Sequence, residues 1–85
     1  MKTIDYVLAA IRSVARERDH QVKIDEDTDL LLTADFDSLM MLEIMETVEK
    51  HYRIELFDTL DPTEIKTPRK LAEFVDRALG GKSNK

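Results

Sequence analysis

Apolar residues return every three or four positions in three separate stretches of this chain, and strand-like alternation is apparent nowhere. Ile4, Val7, Leu8, Ile11, Val14 and Ala15 form the first stripe, which predicts an amphipathic helix over residues 3–18 with Thr3 as its N-cap. Met41, Ile44, Met45, Val48 and Tyr52 form the second, predicting a helix from Ser38 to Tyr52 with that stripe toward the core. Leu71, Phe74, Val75, Ala78 and Leu79 form the third. It is opened by the cap-and-proline pair Thr67-Pro68 and expected to stop at Gly80-Gly81. Asp61-Pro62-Thr63-Glu64 places a capping residue, a proline and a glutamate in the order that starts a helix, which predicts one or two turns ending near Ile65. The fold class is therefore all-α, a small bundle of three principal helices plus one short helix.

Residues 19–37 show no sustained period, which makes a long loop between the first and second helices. Loops of that length inside a compact domain are usually disordered or functional. Leu30, Leu31 and Leu32 argue against disorder, since a leucine triplet is expected to pin the loop across the core. With 85 residues the chain makes one domain, expected over residues 1–80, followed by a disordered tail over 81–85. Asp5 and Arg12 interrupt the first apolar segment, so it cannot serve as a signal-peptide core, and no run reaches membrane-spanning length. A cytoplasmic, monomeric protein with no membrane association is expected.

Charge adds a location to this picture. The net charge is −5, and residues 35–49 hold Asp35, Asp37, Glu43, Glu46 and Glu49 with no Lys or Arg. That segment accounts for the whole excess. A solvated helix face is the ordinary meaning of such a run. The sign disfavours nucleic acid and points to basic protein partners. Leu39 and Leu42 fall off the core stripe beside Glu43 and Glu46, which makes a small mixed patch suited to contact.

Several chemistries fail on the residues present. Asp25, Asp27 and Asp29 imitate the start of a calcium loop, but its sixth and twelfth positions are Leu30 and Phe36 rather than glycine and glutamate. His20 and His51 have no metal-ligand spacing and read as surface histidines, so no metal site is expected. There is no cysteine, no glycine-rich phosphate loop and no nucleophile elbow. No catalytic constellation emerges, and a non-enzymatic role is expected.

Asp37-Ser38-Leu39, followed directly by the second helix, remains to be explained. A serine before an apolar helix is most often an N-cap. Neither Asp37 nor Ser38 has Glu or Gln three residues later, so no capping box supports that role, and Asp37 is itself a competent cap. The motif, its place near the middle of the chain and the flanking helices from about Ile4 to Leu79 together resemble the acyl carrier proteins. That resemblance implies 4′-phosphopantetheine, taken from coenzyme A, attached to Ser38, with Asp37 presenting the serine. It implies acyl intermediates held as thioesters on that arm and delivered to partner enzymes of fatty-acid or polyketide-type synthesis. Those partners would be a phosphopantetheinyl transferase and acyl-activating, synthase and acyltransferase enzymes. Their basic patches would dock on Leu39, Leu42, Glu43, Glu46 and Glu49. A phosphodiester on Ser38 would also sit at the positive end of the helix dipole.

The branch of the family is less sharply marked. Peptidyl carriers often have two glycines before the motif, whereas this chain reads Asp35-Phe36-Asp37-Ser38, and Phe36 is more like the polyketide and fatty-acid carriers. Asp35 stands where the family commonly has glycine. Aspartate tolerates a left-handed backbone better than most residues, so the turn is expected to survive. The start methionine and short tail fit a free-standing carrier, whereas Thr67-Pro68-Arg69-Lys70-Leu71-Ala72 resembles the last-helix opening of carriers embedded in larger synthases, which leaves excision from such an enzyme as the alternative. Peptidyl carriage, or a plain helical interaction module with Ser38 as a cap, are the alternatives.

Overall fold

The computed structural model describes residues 2–55 and 65–83, the last three by their backbone alone. Three helices run in the order α1 (Thr3–Glu17), α2 (Ser38–Tyr52) and α3 (Pro68–Ser83), with no strand among the described residues. The expected short helix at Asp61–Glu64 lies outside the described residues. Ile65, where it was to end, is fully buried.

One core joins the three helices. Val7, Ile11 and Val14 of α1 meet Met41, Ile44, Met45 and Val48 of α2 and Leu71 and Val75 of α3, all at most 4% exposed. Met40 is buried as well, which widens the apolar face of α2 beyond its main stripe. No polar or charged residue is buried among those described, so the core rests on apolar burial and packing. An aromatic seam closes the outer edge of the α1–α2 contact. Tyr6 stacks on His51 at 3.8 Å between ring centroids and meets Tyr52 edge-on at 5.4 Å.

The helix ends depart from expectation in two places. Lys2, not Thr3, is the N-cap of α1, and its side chain makes no capping bond. Thr3 instead donates its hydroxyl to Asp76 of α3, tying the start of the chain to the last helix. At the other end, α3 runs through Gly80 and Gly81 to Ser83. Gly80 has no left-handed backbone, so it does not make the turn that a C-terminal glycine usually provides. A helical glycine costs only about 1 kcal/mol relative to alanine, which the buried Leu71, Ala72 and Val75 earlier in the helix can offset. The α3 start behaves as expected, since Thr67 Oγ1 accepts the Lys70 N–H at 3.2 Å. With no glycine available, α2 ends on Arg53 in the left-handed region at φ 58°, where Ile54 N–H reaches back to the Glu49 carbonyl.

The long loop is ordered by its own aspartates. Asp25 Oδ1 accepts from Asp27 N–H and Thr28 Oγ1, and Asp29 Oδ1 accepts from the amides of Leu31 and Leu32. Such side-chain turns account for the aspartate spacing without a cation. Arg69 then clips the loop to α3, donating its Nε to Asp27 at 2.9 Å and its backbone N–H to the Glu26 carbonyl. That guanidinium holds the Asp27 carboxyl below its ordinary range. Of the leucine triplet only Leu30 is fully buried; Leu31 is half-buried and Leu32 is 81% exposed. The turn at Asp29 points successive side chains in different directions, so one leucine does the pinning assigned to three.

Candidate functional site

The start of α2 is built by Asp37. Its backbone is extended, at φ −88° and ψ 175°, and its Oδ1 accepts the Met40 N–H at 2.8 Å, so Asp37 is the N-cap. Ser38 is the first helical residue. It is exposed, and its hydroxyl makes no hydrogen bond among the described residues. The helix end is thus held by one residue while the next is left open for chemistry at its oxygen. A negative group on that oxygen would lie against the positive end of the helix dipole.

The three residues ahead of Asp37, Ala34 to Phe36, are held from both sides. Asp35 takes the left-handed backbone at φ 60°, as its side chain type permits, between the buried Ala34 and Phe36. Phe36 N–H bonds the Leu30 carbonyl at 2.8 Å. From the α1 side, His20 places Nε2 2.6 Å from the Ala34 carbonyl and meets the Phe36 ring edge-on at 5.2 Å. Because a carbonyl only accepts, His20 Nε2 carries the proton here. This corrects the surface reading of His20: it is a half-buried strut. His51 is exposed as expected.

Leu39 and Leu42 are 53% and 39% exposed, away from the core stripe. Together with Glu43 and Glu46 they line a shallow open depression of about 380 Å³ one turn from Ser38. Glu49 is half-buried and stands outside that depression. Glu43 is not a free carboxylate. The Arg18 guanidinium, just past the end of α1, grips it at two points, Nη2 to Oε2 at 2.6 Å and Nε to Oε1 at 3.2 Å. The carboxylate in turn holds Arg18 above its ordinary value. Arg18 and His20 were invisible to sequence reasoning, because periodicity reports a residue's own helix face and not a partner 14 to 25 residues away.

Among the described residues no group of three or more His, Cys, Asp or Glu could hold a metal ion, and no helix is long and apolar enough to cross a membrane. What the site offers is an exposed hydroxyl, an adjacent capping carboxylate and a mixed apolar and acidic patch. No curated protein and no solved structure matches the chain significantly. A family model described as the phosphopantetheine attachment site does match, over residues 5–75. The match spans nearly all of α1, the long loop, the whole of α2 and the first half of α3, and the chain belongs to that family of carrier domains, which bear a covalent 4′-phosphopantetheine group.

Proposed function

We propose that Ser38 is the attachment residue and that the chain is a non-catalytic acyl carrier of fatty-acid or polyketide-type synthesis. The observation that carries this reading is the separation of roles at the head of α2, where Asp37 caps and Ser38 stands exposed with its hydroxyl unpartnered among the described residues. The bound arm supplies a thiol for thioester linkage. The chain's own residues do the rest. Asp37 fixes the turn that presents the Ser38 hydroxyl, and the first-turn amides favour the phosphodiester electrostatically. Leu39 and Leu42 give short-range contact while Glu46 and its neighbours steer basic partners. Flexible tethering raises the concentration of the acyl group at each partner's active site. In this reading the carrier unit is residues 1–80, acting as a cytoplasmic monomer. Intact mass after treatment with a broad-specificity phosphopantetheinyl transferase and coenzyme A tests it, with one added phosphopantetheine expected and none overturning it.

Reversing Glu43 and Glu46 to lysine is expected to lower transferase kcat/KM roughly tenfold without loss of helicity, since the two side chains are solvent-accessible and steering acts on encounter. Added salt should imitate the reversal, because the screening length is already only about 8 Å at physiological ionic strength. Unchanged kinetics in both experiments would reduce these glutamates to solubility.

An acyl rather than aminoacyl cargo is favoured by Phe36 in place of glycine and by the methionines of α2. Met41, Ile44 and Met45 are fully buried, so a chain folding back must part the bundle beside them. Each methylene taken from water adds up to about 0.8 kcal/mol. Melting temperature should therefore climb with acyl length and then level off. A flat series would leave the cargo in solvent, and efficient loading by an adenylation enzyme would move the chain to the peptidyl branch.

A further inference from the structure

The acidic face of α2 is asymmetric in a way its sequence does not show. Glu46 is exposed and makes no ion pair among the described residues, whereas Glu43, beside it on the same depression, is already gripped by Arg18. The grip comes from across the bundle, 25 residues away, and uses both oxygens of the carboxylate. Arg18 and Glu43 have side chains 35% and 39% exposed, so the pair lies at the surface, within reach of a docking partner.

We propose that Arg18 determines which basic partners dock on α2. By occupying Glu43, it leaves Glu46 with Leu39 and Leu42 as the open contact, and any partner cation directed at Glu43 must first displace an internal guanidinium. The partner class is a protein surface carrying lysine or arginine beside an apolar projection, matched to the charge and the two exposed leucines of the depression. The tethered Arg18 competes at the effective concentration of an intramolecular group, which an incoming side chain meets only after encounter. Its planar fork also makes it a better occupant than lysine would be. Arg18 is thus a specificity residue of the docking face, an inference that rests on the carrier reading.

Transferase kinetics on the full chain test it, with a broad-specificity phosphopantetheinyl transferase as the basic partner. Arg18→Gln frees Glu43 and is expected to lower KM roughly two- to fivefold, the range of an exposed ion pair, with kcat unchanged. Arg18→Gln/Glu43→Gln should return KM toward the wild-type value. Lys70→Gln on α3 makes the same change in net charge at an exposed site with no ion pair among the described residues, and should leave KM alone. Circular dichroism on each variant confirms the fold. A KM that rises in Arg18→Gln would mean that Arg18 holds Glu43 in the posture the partner uses, and an unchanged KM would mean that Arg18 is only structural. An equal gain in Lys70→Gln would reduce the effect to net charge. Each of these overturns the inference while modification at Ser38 leaves the carrier reading standing. Failure of the wild-type chain itself to be modified removes the carrier reading and this inference with it.

Discussion

Alanine at position 38 is expected to abolish phosphopantetheine transfer completely while the protein stays folded. Both halves of that result follow from the head of α2. The exposed Ser38 hydroxyl is the group proposed for modification, so its loss would leave nothing at that position to modify. The helix, however, is capped by Asp37 through the Met40 amide. Were Ser38 the cap, its removal would cost about 0.5–2 kcal/mol. As an exposed first-turn residue it should cost no more than about 0.5 kcal/mol in either direction. Intact mass and a thermal melt on the same sample check the two halves together. Modification that persists in Ser38→Ala would move the attachment site elsewhere in the chain, and a large drop in melting temperature would contradict the capping assignment.

Leu30→Ala should be among the most destabilising single truncations in the loop, and Leu32→Ala among the least. The two leucines are 0% and 81% exposed. Truncating a fully buried leucine costs about 2–5 kcal/mol, against a total stability on the order of 5–15 kcal/mol for a domain. A domain of this size loses about 4–8 °C of melting temperature per kcal/mol, so Leu30→Ala should fall by roughly 8 °C or more. Leu32→Ala should stay within about 0.5 kcal/mol of the parent. Leu30 also sits at a backbone crossing, since its N–H reaches the Lys66 carbonyl and its own carbonyl receives Phe36. Loss of the side chain should therefore slow transfer to Ser38 as well, by loosening residues 34–36. Similar melts for the two variants would show that the loop is held by hydrogen bonds rather than by that leucine.

Where one helix's own pattern suffices, the sequence is a good guide. The α2 limits, Ser38 to Tyr52, and its core stripe agree with expectation, as do the Thr67 cap of α3, the exposed Leu39 and Leu42 and the left-handed Asp35. These features depend on neighbours within about one turn, the range over which periodicity and capping rules operate. Three of the departures are products of distance. Thr3 gives up a capping role for a bond to Asp76, His20 is drawn inward to Ala34 and Phe36, and Arg18 takes Glu43. No local rule contains those partners. The leucine triplet fails for a related reason: hydrophobicity names three candidates for one core position, and the turn at Asp29 chooses among them.

Within the described helices, α1 packs closely on both α2 and α3, while α2 and α3 approach each other far less. The architecture is thus a hub with two spokes rather than a ring. A fragment beginning after Glu17 would keep Asp37-Ser38-Leu39 and two complete helices, yet lose the α1 surface on which both helices pack. It would also strand Met41, Ile44, Leu71 and Val75 in water. The proposed attachment motif occupies a single turn, but the smallest unit able to hold it in this fold begins at the first helix, far upstream of the serine in sequence.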